Sequence, residues 1–168
     1  MIKTLGVTGH RPERLGGYDL LNRRALGALA VEHLVNVRPE RVLTGMAQGW
    51  DHAMAAASIA LDIPFTAVLP FVGQEDRWPP VARSRYRRLL DKADAVQIVS
   101  QSGTGRGFRE MMQLRNEWIV DHSDGIAALY DGGRGGTANT LAYANRRGVP
   151  VRNLWADWVL PEDMLELL

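Results

Sequence analysis

"GIAALYDGGRGGTANTLAYANRR", residues 125–147, decides the fold by the order of its residue types. An apolar run (125–131) reads as a strand, glycines 132, 133, 135 and 136 surround Arg134, and helical spacing begins at Thr137. Strand, glycine turn and helix in that order make half of a βαβ unit. Glycine costs conformational entropy and packs nothing, so such a cluster points to close approach of something to the backbone.

The same alternation extends outward. Short runs rich in Val, Ile and Leu occur at 3–8, 41–45, 65–70, 94–100 and 150–155, without the polar alternation of a half-exposed strand. They read as strands covered on both faces. Between them, helical spacing covers about 19–36, 50–62, 79–92, 108–122 and 137–147. In the first of these Leu20, Leu26, Leu29, Ala30 and Leu34 are expected to face inward. The sequence therefore predicts an α/β protein, a Rossmann-like three-layer sandwich. Its central sheet is mainly parallel, with five or more strands and helices on both faces.

All 168 residues (1–168) are read as one domain, with 46% hydrophobic and 23% charged residues. A net charge of +1 gives no general electrostatic reason to expect nucleic acid. Cysteine is absent, which excludes disulfides, zinc ribbons and thiol nucleophiles. "MIKTLGVTGH" has no long apolar run and no stretch has transmembrane length, so a cytoplasmic protein without membrane contact is expected. The four histidines, at 10, 33, 52 and 122, lack metal-ligand spacing, so no metal or other cofactor is expected. "GTGRG" (103–107) imitates a dinucleotide fingerprint but does not follow the first strand. "RSRYRRLLDK" (83–92) reads as a solvated basic helix face.

Ligands of open parallel sheets bind beyond the carboxyl ends of the strands. Those ends carry "TGHRPERLGG", "TGMAQGWD", "PFVGQEDRW", "SQSGTGRG" and "DGGRGGT". In the last, Gly133, Gly135 and Gly136 would bare peptide N–H groups at a helix start for a phosphate, and Thr137 could cap that helix. In "TGMAQGWD", Gly45 and Gly49 flank a turn, and Asp51 either favours the helix N-terminus or holds a sugar hydroxyl. His52 and Trp50 beside it read as packing residues. "TGHRP" sets Gly9, His10 and Arg11 at the end of strand one, with Arg11 suited to phosphate and His10 to a donor or base. Arg115 shares a helical stripe with Phe108, Met111, Trp118 and Ile119, so it needs an anionic partner, either a carboxylate or a ligand.

Taken in order, "TGHRP", "TGMAQGWDHAMA", "PFVGQEDRWP", "RNEWIVDHSDGIAALYDG" and "GGTANTLAYA" resemble the SLOG superfamily of Rossmannoid nucleotide-binding proteins. That group includes the Lonely Guy phosphoribohydrolases, DprA and the small YpsA-like proteins of bacteria and phages, and the match is to the last. It runs over roughly residues 4–154. "MQLRN" (112–116) is similar to the M-x-x-R-K motif of the Lonely Guy enzymes, which implies a substrate-phosphate and catalytic role for Arg115. "GGRGGT" (132–137) is similar to their glycine loop. Where those enzymes place a catalytic Glu this chain has Thr140, preceded by Asn139. N-glycosidic hydrolysis needs a carboxylate near the ribose. Glu75, Glu117, Asp51 and Asp131 are the substitutes the sequence offers, and nothing in it selects one.

The resemblance implies binding of a nucleotide or nucleotide-derived ligand, of the ADP-ribose or nucleoside-monophosphate type, for sensing or sequestration. The alternative is a nucleotide N-glycosidase with a relocated carboxylate, and a weaker one is DprA-like single-strand DNA binding. A homodimer is expected, as dimers are common among such relatives. The aromatic tail "NLWADWVL" (153–160) and Trp118 supply large apolar surface, for the dimer or equally for the core.

Overall fold

A computed structural model describes residues 1–101 and 105–158. The expected loop 100–107 and tail 153–160 thus lie partly outside the described residues.

The chain runs β1 (Thr4–Gly9), α1 (Leu20–Val37), β2 (Arg41–Thr44), α2 (Trp50–Ala60), β3 (Phe65–Leu69) and α3 (Pro80–Leu90). It continues through β4 (Ala95–Ile98), α4 (Phe108–Asp121), β5 (Gly125–Leu129), α5 (Gly136–Arg147) and β6 (Val151–Asn153). Short 3-10 turns occupy Pro12–Arg14 and Trp155–Asp157. All six strands join one sheet in the order β4-β3-β2-β1-β5-β6, and every pairing is parallel. The chain steps outward from β1 to β4, then returns to lay β5 on the other side of β1. The expected α/β architecture is the one found.

The central strands turn their side chains to two separate cores. Val42, Phe65, Ala67, Ala127 and Leu129 join residues of α1 and α2 in one. Leu43, Val68, Ile126 and Ala128 meet Ile119, Val120 and Ala144 of α4 and α5 in the other. Burial on both faces explains why the central runs are continuously apolar.

The edges depart from that pattern. β4 leaves Val96 and Ile98 exposed and β6 leaves Val151 exposed, as edge strands that lack a neighbour on one side. In α1, Leu26, Leu29, Ala30 and Leu34 are buried as expected, but Leu20 is 51% exposed. It is the first helical residue, and Asp19 caps the helix there by accepting from the Asn22 amide at 2.9 Å, which turns Leu20 toward solvent. Of the tail tryptophans, Trp158 is buried in the first core and Trp155 packs against it, so their area serves the fold. On α3 only Ala82 and Tyr86 are buried, as a solvated basic face requires. Among the described residues no helix is long and apolar enough to cross a membrane.

Candidate functional site

β1 and β5 are sequence-distant neighbours, and the chain reverses direction across the sheet between them. Beyond their carboxyl ends opens a cleft of about 740 Å³, as the general rule for switch points predicts. Its walls are the loop after β1, the start of α2, one face of α4 and the N-terminus of α5.

The α5 wall is backbone. Gly135 is the N-cap, at φ +141°, and no side chain caps the helix. The amides of its first turn therefore have no intrahelical acceptor and stand at the positive end of the helix. Thr137 is inside the helix, two residues past the cap position, which corrects the capping expectation. Gly135, Gly136 and Thr137 all line the cleft.

Arg115 is the central side chain. It is 3% exposed, yet belongs to no ion pair within 4.0 Å among the described residues. Its Nη1 donates to the carbonyl of Gly45 and its Nε to Asn116 Oδ1 at 2.8 Å. Neutral oxygens hold the guanidinium while leaving its charge uncompensated. Gly45 must be glycine for this, since a Cβ there would overlap the guanidinium. That is its contribution; it does not itself line the cleft.

Asp51 enters from the first turn of α2 and accepts from the Ala47 amide at 3.2 Å. Burial pushes its carboxyl up to about 6, against the opposing pull of Arg115, the Ala47 amide and Arg11. The same burial lowers Arg115, which Asp51 counteracts. The two thus feel each other across the cleft without closing a salt bridge.

Gly9, His10 and Arg11 also line the cleft. The His10 Nε2 lies 2.7 Å from Asp131 Oδ1 and 3.0 Å from the Asp131 amide nitrogen. Asp131 accepts from the Gly133 amide at 2.8 Å, and this bond above all holds its carboxyl below the ordinary range. Arg14 adds a bond to the Arg134 carbonyl at 3.3 Å. These contacts tie the β1 loop to the glycine loop.

Other residues singled out from the sequence fall elsewhere. Gly49 caps α2 behind the cleft, and Gly133 and Asp131 brace the loop rather than line it. Glu75 is buried near Arg87, 3.8 Å away, and Glu117 accepts from Gln113 at 3.1 Å; neither lines the cleft. Of the four carboxylates, the structure brings only Asp51 into it. Thr140 turns its hydroxyl back to the Gly136 carbonyl at 2.8 Å, whereas Asn139 lines the cleft along with Thr137. Trp50 and His52 are buried packing residues; the Trp50 indole donates to the Ala127 carbonyl at 3.3 Å.

The sequence reading missed Arg14, Arg109 and Arg134, and misjudged Phe108, which is 55% exposed and lines the cleft. The signal was available: Phe108, Met112 and Asn116 recur every four residues, one helical face beside Arg115. Five arginines, at 11, 14, 109, 115 and 134, line the cleft against two acids, Glu13 and Asp51. Among the described residues no group of three His, Asp or Glu side chains could hold a metal ion.

Fold and site together define a parallel α/β protein with one arginine-lined cleft at its topological switch point. The chain belongs to the YspA SLOG family, which matches residues 5–149. It is 32% identical over 132 residues to the uncharacterized SPbeta prophage-derived protein YoqJ of Bacillus subtilis (strain 168), covering 71% of this chain and 77% of that protein. It shares its fold with DNA processing protein A (DprA) of Streptococcus pneumoniae at TM-score 0.61 and 19% identity. That match covers 88% of this chain and under half, 48%, of DprA. It is also similar in fold to the molybdenum cofactor binding protein of Rippkaea orientalis, at TM-score 0.54 and 18% identity. There 98% of this chain and 93% of that protein are covered.

Proposed function

We propose that the cleft binds a nucleotide or nucleotide-derived ligand, of the ADP-ribose or nucleoside-monophosphate type, for sensing or sequestration. The observation that carries this is Arg115: a buried guanidinium without an ionic partner among the described residues, lining the same cleft as the N-terminus of α5. A phosphate would satisfy both at once. Arg11, Arg14, Arg109 and Arg134 around the rim suit further anionic groups. Asp51, which lines the cleft, would accept from a ribose hydroxyl. A small-molecule ligand is in keeping with the molybdenum cofactor binding protein of similar fold.

One feature favours a second reading, cleavage of the N-glycosidic bond. Asp51 is a buried carboxyl in the cleft, raised to about 6, and so suited to proton transfer near neutral pH. It would be the relocated carboxylate.

Calorimetry with a panel of nucleotides, followed by chromatography of the mixture, tests both. Saturable binding with the nucleotide recovered intact is expected. Free base in multiple turnovers, abolished in Asp51→Asn, would establish the enzyme instead, and no binding across the panel would refute both. We propose further that the protein acts in the cytoplasm as a homodimer.

A further inference from the structure

A second cavity, of about 250 Å³, lies behind the β1 loop among α1, α2 and α3. Its volume is below the roughly 300–1,000 Å³ of drug-sized ligand sites, so it would take a smaller molecule than a nucleotide. Leu26, Gly27, Ala53 and Leu89 make most of its wall apolar. Two arginines break that wall, Arg23 from α1 and Arg85 from α3. Among the described residues neither belongs to an ion pair. The Nε of Arg23 is enclosed and has no hydrogen-bond partner among them.

Two like charges on an apolar cavity with no carboxylate between them are unfavourable unless something anionic joins them. The Arg85 guanidinium carries that cost: burial lowers its pKa, and the charges of Arg23 and Arg88 lower it further. His52, also on the wall, adds no cation, since burial holds its imidazole down at about 4. Its Nε2 is spent on the Met46 carbonyl at 3.0 Å. Gly27 makes room: a Cβ there would meet nothing within 4 Å.

We propose that this cavity is a second ligand site, for a small amphipathic anion whose apolar body fills the α1–α2 slot while its carboxylate or phosphate bridges Arg23 and Arg85. The site is separate from the cleft and does not depend on what the cleft binds. Two segments stand between them: in 11–18, Arg11, Glu13 and Arg14 line the cleft and Pro12, Gly17 and Tyr18 the cavity, and in 47–52, Ala47 and Asp51 line the cleft and Gln48, Gly49 and His52 the cavity.

Phenyl phosphate, benzoate and the uncharged benzyl alcohol, titrated into 15N-labelled protein and followed by NMR, test this. At least one of the two anions is expected to shift the amides of Gly17, Gly27 and Gly49 saturably, and more tightly than benzyl alcohol. Arg85→Gln should weaken that binding about tenfold or more, as loss of a charge-assisted bond does. Gly27→Leu should abolish it by filling the slot, without loss of helix α1 by circular dichroism. Arg115→Ala should leave it unchanged. The proposal is overturned if neither anion saturates, if benzyl alcohol binds equally well, or if Arg115→Ala removes the shifts while Arg85→Gln and Gly27→Leu keep them.

Discussion

Arg115 shows how far one residue can be read. Its place on an apolar helical stripe told that it was buried and needed a partner; what the sequence withheld was that the partner is a neutral carbonyl, that of Gly45, seventy positions earlier in the chain. Pairing across strands is set by the sheet, and no local pattern encodes it. A charge-assisted contact from such an arginine contributes on the order of 1.5–3 kcal/mol. Arg115→Ala should thus weaken nucleotide binding about tenfold to a hundredfold, and weaken the matching nucleoside much less, as calorimetry on the pair would show. Gly45→Ala should cost the same affinity by displacing the guanidinium, and the double variant should be little worse than either single one. Asp51 yields a pH prediction. Its carboxyl is raised to about 6 folded, from an ordinary value near 4, so the folded state holds the extra proton between the two. Its contribution to stability is therefore greatest below about pH 4 and is lost as pH rises through about 6, a change on the order of 3 kcal/mol. Urea unfolding at several pH values should show that slope, and Asp51→Asn should flatten it.

At the scale of elements, strands and helices were legible because their periods differ and central strands are buried on both faces. Boundaries and faces were less so. α4 carries two stripes in one helix, Ile119 toward the sheet and Phe108, Met112 and Asn116 toward the cleft, with Arg115 buried between them and reaching the cleft as well. Both are partly apolar, and composition alone merges them. The start of α5 was readable as a glycine turn, but its cap is Gly135 rather than Thr137, because the cap is fixed by backbone angle rather than by side chain. At φ +141° a β-branched residue is strained, and its side chain would stand before the free amides. Gly135→Val should therefore abolish nucleotide binding while far-ultraviolet circular dichroism stays close to wild type. Binding retained at full strength would reduce the loop to an ordinary turn.

At the scale of the whole molecule, the parallel sheet was legible, and the strand order was not, since no residue announces that β5 returns beside β1. The tail tryptophans, read as surface for a partner or equally for the core, take the second role. Among the exposed apolar side chains, Val96 and Ile98 form a pair on the edge strand β4. Light scattering at micromolar concentration should find twice the 18.6 kDa chain mass, and Val96→Lys with Ile98→Lys should return it to the monomer. The strand order has one more effect. Residues 7–14 and 47–51 form one bank of the cleft and residues 108–116 and 134–139 the other, and under the sheet's order these banks meet along the seam where β1 pairs with β5. Whatever settles there is a clasp across the seam, fastening the first third of the polypeptide to the last, so that the presence of the ligand would be legible as mechanical cohesion of the two ends of the chain.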